Sequence, residues 1–460
     1  MRFICKSVGA VFFAALVSSC TSEARNARFA FEQVPEPTAR ALNEAARGPA
    51  DAANPARTAA IPAISLAEIL RLGELRSPGL AAAYHRWRGA VAEIGVAVEL
   101  PEAMLEYFEA VEDRRSNIML DSGKRGVMFT QPITNPGKLV AREKMLAADA
   151  GVMAEDFEVM RREVRRRTAS AYYDIQALDA RVEVSRQLVD LASGVEQSME
   201  PMLSTGMATQ ADLLRMQVER AEVESDLASL NLRRAALVRV LVAASGVELL
   251  PAVAVDAPAP VKLPTKLPDR AHLFVAVEEN PMLKMEHARS ALARAQQVEA
   301  NWMWVPDFVV GAGWMDMGDQ MEGGTWSAVE VRAGVSIPWQ FHVNKARSDA
   351  AAANEIAARL VVQQRRLDLM AELDAMLFEL ADAERMQKLY AADIGPKSRQ
   401  AYDLVRSDFG VGKAKLTDVL GAQRTWLASE LISINSRNEI LKARAALSAL
   451  TGLTMAGEGE

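Results

Sequence analysis

The stretch Gly206–Gln217, GMATQADLLRMQ, recurs as Gly412–Gln423, GKAKLTDVLGAQ, displaced by 206 residues (412 − 206). Both copies share one spacing, G-x5-D-x-L-x2-Q, in which the acids are Asp212 and Asp418. Each copy lies between long helix-forming stretches with few breakers. A glycine at such a junction, with an acid just inside the following helix, predicts the tip of a helical hairpin. The chain is therefore predicted to contain two long hairpins.

Proline landmarks recur at nearly the same displacement, which indicates an internal duplication. The pairs are Pro78 and Pro281 (281 − 78 = 203), Pro101 and Pro306 (306 − 101 = 205), and Pro132 and Pro338 (338 − 132 = 206). We predict a first repeat over 64–249, a proline-rich linker over 250–268, a second repeat over 269–451 and a tail over 452–460.

Composition narrows the class of protein. Half of the 460 residues are apolar but only 6% are aromatic, which suits long, closely packed helices. A net charge of −7 argues against a nucleic-acid partner. Four histidines and two cysteines leave little material for catalysis, and no Ser/His/Asp or HExxH-type pattern is present. We expect neither an enzyme nor a bound cofactor or metal.

The N-terminus has the pattern of a secretory signal over 1–19, because its apolar run Val8–Val17 is too short to span a bilayer. It ends Val-Ser-Ser-Cys20, which resembles the lipobox of bacterial lipoproteins. That resemblance implies acyl chains, including palmitate, on Cys20, with each buried methylene contributing about 0.8 kcal/mol of membrane affinity. Thr21, in place of the aspartate of an inner-membrane retention signal, favours the outer membrane. The alternative is a plain secreted protein with a stray cysteine. Residues 20–63 are expected to form an extended leader that either packs along the body or remains mobile.

Each repeat is expected to contain a β-hairpin, over about 102–133 and 307–338. In the second, Val329, Val331 and Val335 alternate with polar residues, and strands of about ten residues suit a tilted crossing of a bilayer. A half-buried soluble hairpin is the alternative. If the strands do cross a membrane, their edges must pair with other chains. After each hairpin we predict a very long helix: the first has about 65 residues, roughly 100 Å, and the second is expected to kink at Gly395-Pro396.

Each half has the predicted order helix, hairpin, very long helix, tip and helix. This duplicated order resembles that of the outer membrane efflux protein family typified by TolC. The resemblance implies a mainly α fold with a β-barrel part. Three chains would close a twelve-stranded outer-membrane barrel that continues as a helical barrel in the periplasm of a Gram-negative bacterium. It also implies a passive export duct, served by a periplasmic adaptor protein and an inner-membrane RND-type transporter. A structural lipoprotein tether without transport is the alternative function.

The resemblance also assigns roles to the tips. The adaptor-contact candidates, carried over by position, are Thr205, Gly206, Met207, Val411, Gly412 and Lys413. The aperture candidates are Asp212, Asp418 and Phe409. In a trimer each aspartate would form a ring of three charges, although helix capping would equally explain both acids. Phe409 and Ala414 stand where TolC has a tyrosine and an arginine, so the contacts that close the aperture must differ.

The cargo is left open by the sequence. The chain has 21 methionines, and four of them lie around the second hairpin: Met303, Met315, Met317 and Met321. Thioethers suit soft metal ions, but methionine also fills irregular packing. Heavy-metal ions and drugs both remain candidates.

Overall fold

The computed structural model describes residues 22–34, 64–109, 125–204, 206–247, 269–318 and 325–453. The predicted signal sequence, Cys20, Thr205, the linker, Met321 and nearly all of the tail lie outside these ranges.

The elements occur in the same order in both halves of the chain. A leading helix, α1 (Ser22–Glu32), comes before the first half. The first half then contains α2 (Leu66–Arg76), α3 (Pro78–Glu93), a 3₁₀ turn (Ile94–Val98), β1 (Met104–Glu109), β2 (Arg125–Ile133), α4 (Pro136–Ser204) and α5 (Gln210–Ser245). The second contains α6 (Arg270–Glu278), α7 (Pro281–Trp302), β3 (Asp307–Gly318), β4 (Thr325–Ser336), α8 (Phe341–Leu389), a π turn (Tyr390–Ile394), α9 (Gly395–Gly410) and α10 (Leu416–Thr451).

The four strands form one antiparallel sheet in the order β1-β2-β3-β4. The central pair joins the two halves, with Val127 opposite Trp314 and Phe129 opposite Ala312. At the start of β3, the carboxylate of Asp307 accepts hydrogen bonds from the Asn135 amide (2.9 Å) and from the Lys138 ammonium (2.7 Å). These contacts fix the start of α4 against the start of β3.

The helices bury their apolar faces within two compact units. One unit comprises Met1–Val34, His85–Asp156 and Lys284–Gln364 and includes the sheet. The other comprises Pro35–Tyr84, Phe157–Leu283 and Arg365–Glu460 and includes both tips. In the second unit, one cluster of buried side chains is centred on Tyr172, Ile175 and Leu241. The Tyr172 hydroxyl there donates to the Ile64 carbonyl (3.1 Å).

Part of the leader is helical, which corrects the expectation of an extended chain over 20–63. Ala24 is fully buried against Ala90, Ile94, Ala147 and Ala150. Phe31 meets the Trp87 ring edge-on, with centroids 5.1 Å apart. Tertiary packing of an alanine and an aromatic ring therefore stabilises a helix too short to persist alone.

The two long first helices of the hairpins differ. α4 runs unbroken for 69 residues, whereas its counterpart divides into α8 and α9 at the π turn. Gly395 and then Pro396 follow this turn, and a proline cannot donate the usual backbone hydrogen bond. The irregularity lies where the sequence predicts a kink.

Candidate functional site: the paired tips and the exposed sheet

The two tips are built alike in their backbone. In the first, the amides of Met207 and Ala208 both donate to the Met202 carbonyl (2.9 and 3.2 Å). In the second, the amides of Lys413 and Ala414 both donate to the Asp408 carbonyl (2.8 and 3.3 Å). The glycines of the repeated motif have φ of 76° and 75°, a left-handed conformation that glycine adopts without steric penalty. The duplicated glycine therefore encodes the same turn twice.

The two motif aspartates cap the helices that follow the tips. Asp212 accepts from the Thr209 hydroxyl (2.6 Å) and amide (3.1 Å), and the Asp212 amide donates to that hydroxyl (3.2 Å). In the second tip the Lys415 amide donates to the Asp418 carboxylate (3.1 Å). The hydrogen bond from the Thr209 side chain holds the pKa of Asp212 below its usual value. Capping is thus present at both sites, and a ring of charges at an aperture stays a prediction.

The chain brings its two tips together, although they are 206 residues apart. A side-chain carbon built at Gly412 would lie 3.3 Å from the Met207 sulfur. Beneath them lies a shared core, here called the tip cluster. Its buried members are Leu188, Ala192, Val195, Met199, Met202, Met216, Tyr402, Phe409, Leu416, Val419 and Trp426.

Phe409 belongs to this cluster and is only 4% exposed. The ring is packed inside one chain, and a role of Phe409 at the aperture stays a prediction. The phenyl group contributes apolar burial that holds the two hairpins together.

An aromatic stack in the tip cluster is a feature that the sequence analysis missed. The rings of Tyr402 and Trp426 lie parallel with centroids 5.5 Å apart, and the Arg399 guanidinium lies 4.6 Å from the Trp426 ring centroid. Burial raises the pKa of Tyr402. Its hydroxyl has no hydrogen-bond partner among the described residues. Two aromatic side chains 24 residues apart (426 − 402) in different helices give no periodic signal in the sequence.

The adaptor-contact candidates that the structure describes are accessible. Met207 and Val411 are 54% and 62% exposed, and Gly206, Gly412 and Lys413 are exposed as well. The last position of the motif behaves differently in the two copies, because Gln217 is exposed whereas Gln423 is buried. The repeated motif therefore gives equivalent turns in two different environments.

The sheet presents one continuous apolar face to its surroundings. The residues of this face are Leu105 and Tyr107 on β1, Val127 and Phe129 on β2, Phe308, Val310, Ala312 and Trp314 on β3, and Val329, Val331, Ala333 and Val335 on β4. Val329 and Val331 are 76% and 78% exposed. An exposed apolar surface of this extent marks an interaction site with a lipid or a protein.

The opposite face of the sheet is mixed, with glycines and charged residues beside apolar side chains such as Phe108, Met128 and Met315. Glu330 and Arg332 form an ion pair there (3.1 Å). Gly126 and Gly313 lie where a side-chain carbon would come within 3.0 Å of neighbouring atoms, so this face is closely filled. In β4 an apolar face with Val329 and Val331 alternates with a face that carries Glu330 and Arg332, a pattern typical of a strand between an apolar medium and a polar one.

No helix of the described residues is long and apolar enough to cross a membrane. The same residues contain no group of three or more His, Cys, Asp or Glu side chains placed to hold a metal ion.

Solved structures share this architecture. The outer-membrane channel OprN superposes with a TM-score of 0.71 at 15% identity over 84% of this chain and 89% of that one. The Campylobacter jejuni CmeC outer membrane channel gives a TM-score of 0.67 at 14% identity, with 84% and 86% covered. CusC gives 0.65 at 15%, with 84% and 91% covered. Among curated proteins no sequence matches significantly.

A duplicated chain that joins an exposed antiparallel sheet to long helical hairpins defines a class of outer-membrane channel proteins. The chain belongs to the outer membrane efflux protein family, whose model matches residues 72–247 and 275–453. The two matched segments correspond to the two halves of the duplication.

Proposed function

We propose that this protein is the outer-membrane duct of a tripartite efflux pump, closed by three copies of the chain. The family supplies the efflux channel role. The observation that carries the proposal is the four-stranded sheet with a broad, largely apolar exposed face. Within the described residues, β1 and β4 each pair on one side only. Edges of this kind are not stable in lipid, because unpaired backbone groups cost several kcal/mol each there.

Cyclic closure satisfies these edges. The strands alternate in direction, so β4 of one copy would lie antiparallel to β1 of the next. Three copies would contribute twelve strands and leave no edge, with the apolar face toward lipid and the Glu330–Arg332 face toward the lumen. The chain itself then performs no chemistry. It supplies a polar passage whose cargo is driven by an inner-membrane transporter.

The tips are the proposed contact with the periplasmic adaptor. Met207, Val411 and Lys413 offer apolar and cationic groups at exposed turns, and the tip cluster makes these turns rigid. A rigid pair of turns would present the same surface three times around a trimer. Because Thr205 precedes the first of these turns in the sequence, we assign it to the same surface.

A lipid on Cys20 is proposed as a second attachment to the outer membrane. Its support is the lipobox-like sequence and the packed helix α1, which begins two residues later. Drugs and heavy-metal ions remain the candidate cargo.

The test is intermolecular cross-linking between β1 and β4. Leu105→Cys is combined in turn with Val329→Cys, Val331→Cys, Ala333→Cys and Val335→Cys. Two strands separate these sites within one chain, roughly 14 Å apart at about 4.8 Å per strand, which is too far for an intrachain disulfide. The expected result is a ladder that ends at the trimer. The matched controls pair Leu105→Cys with Glu330→Cys or Arg332→Cys on the other face. A monomeric mass in detergent, or equal cross-linking by the controls, would refute closure.

A further inference from the structure

Methionines of three neighbouring strands lie on the face of the sheet opposite the broad apolar one. Met104 belongs to β1, Met128 to β2 and Met315 to β3. Residues paired across strands share a face, and so do residues two apart along a strand, so the pairing places all three methionines together. We call this side of the sheet the inner face, because barrel closure would turn it toward the lumen. That orientation rests on the proposed function.

The three methionines form a diagonal line across the strands. Met104 pairs with Thr130, two residues from Met128, and Met128 pairs with Gly313, two residues from Met315. Each methionine therefore lies one strand over and two residues along from the next, a separation of roughly 7–8 Å. Flexible thioether side chains reach across that distance, so neighbouring sulfurs of the line can approach one ion.

The sheet makes room for the middle methionine of this line. A side-chain carbon built at Gly313 would lie 3.0 Å from the Sδ and Cε atoms of Met128, so the thioether lies over a glycine. Met128 is only 2% exposed, whereas Met104 is 60% exposed and Met315 is half-buried. The line therefore leads from an accessible sulfur at β1 to a shielded sulfur at β2.

Carboxylates lie beside the line of methionines. Glu106 pairs directly with Met128, and Glu330 pairs with Gly313 in the same row of the sheet. Glu330 forms an ion pair with Arg332 (3.1 Å), whereas Glu106 forms none among the described residues. The carboxylate of Glu106 thus adds an unbalanced negative charge next to a sulfur.

This combination of donors has a definite chemical preference. Thioethers are soft ligands that select cations such as Cu(I), and a neighbouring carboxylate adds electrostatic attraction for any cation. We propose that Met104, Glu106 and Met128 form a transit site for soft monovalent metal cations, with Met315 as the next donor along the line. The ion is cargo rather than a resident cofactor. A site with two sulfurs and one carboxylate suits passage, because conduction needs binding that is weak enough for release.

Silver block of the single-channel current is the first test. The full-length protein is placed in planar bilayers with potassium nitrate, and silver nitrate is the probe. We expect silver to reduce the potassium current of the wild type. Met104→Leu combined with Met128→Leu keeps the apolar volume but removes both sulfurs, and should raise the silver concentration for half block at least about tenfold. Met207→Leu, a methionine of similar exposure at the first tip, is the matched control and should leave the block unchanged.

Glu106→Gln separates a metal site from simple space filling by methionine. Because Glu106 is exposed, its amide variant should fold normally while it weakens the silver block. A channel that conducts but is not blocked by silver, or is blocked equally in these variants, would overturn the transit site and leave the duct intact.

Calorimetric titration of silver nitrate into the protein in detergent tests the site without conduction. Loss of a silver site in the double leucine variant, but not in Met207→Leu, would support the transit site even if the protein never conducts. Equal silver binding by the wild type and the double leucine variant would overturn it.

Discussion

The lipid-facing assignment of the sheet is tested by placing a charge on each face of one strand. Val331 lies near the middle of β4, on the apolar face and 78% exposed. An arginine at the midplane of a membrane barrel costs about 2–4 kcal/mol. Val331→Arg should therefore reduce folding into bilayers by about 30- to 700-fold per chain, at 1.4 kcal/mol per factor of ten. Three copies in one barrel would multiply the effect.

Gly334→Arg is the matched control on the opposite face of β4. A side-chain carbon there meets only the Val309 side chain, at 4.0 Å, so the substitution fits sterically. Its charge would face the lumen beside Arg332 and should change folding by less than about tenfold. The assay is the urea dependence of folding into phosphatidylcholine vesicles, followed by protease protection. Equal damage by the two variants, or normal insertion of Val331→Arg, would refute the assignment.

The tips and the tip cluster give three further predictions. Gly412→Ala should destabilise the second tip by about 1–2 kcal/mol in chemical denaturation, because Gly412 has a left-handed φ of 75°. The control Gly410→Ala lies in a helix with open space around it and should be neutral or stabilising. The stabilisation of the first tip by Asp212 should be complete above pH 3.8, the ordinary pKa of the side chain, and should be lost as the pH falls through the lower pKa that Asp212 has in the folded tip. Hydrogen exchange of the 206–217 amides between pH 5 and 3 measures this loss. A pH-dependent loss that persists in Asp212→Asn would contradict the prediction. Tyr402→Phe should leave the free energy of unfolding unchanged or raise it by up to about 1 kcal/mol, because it removes a buried hydroxyl that has no hydrogen-bond partner among the described residues. A large fall in the melting temperature would show that the hydroxyl is satisfied in the assembled protein.

The sequence predicted the features that depend on local chemistry. The glycines at 206 and 412 indicated the turns, because a left-handed φ favours glycine wherever it occurs. Alternation of Val329, Val331 and Val335 indicated a two-faced strand, and that alternation persists whatever surrounds the sheet. The aspartates of the repeated motif were correctly linked to helix capping.

What the sequence did not predict depends on contacts between distant residues. Phe409 follows a polar stretch, and only the packing of two hairpins against each other shows that it is buried. The helix over Ser22–Glu32 forms because Ala24 and Phe31 meet residues more than 50 positions away (87 − 31 = 56). The hydrogen bond from the Arg162 side chain to the Ala449 carbonyl (3.1 Å) requires α4 and α10 to lie side by side, which no local pattern encodes.

Conductance of the purified, full-length protein in planar lipid bilayers tests the central claim most directly. We expect discrete single-channel steps from trimers. These steps should become larger or more frequent when Asp212 and Asp418 are both replaced by alanine, since that substitution removes the helix caps of both tips. Trimers that insert into the bilayer yet never conduct, in the wild type or in this double variant, would contradict the proposal that the protein is an export duct.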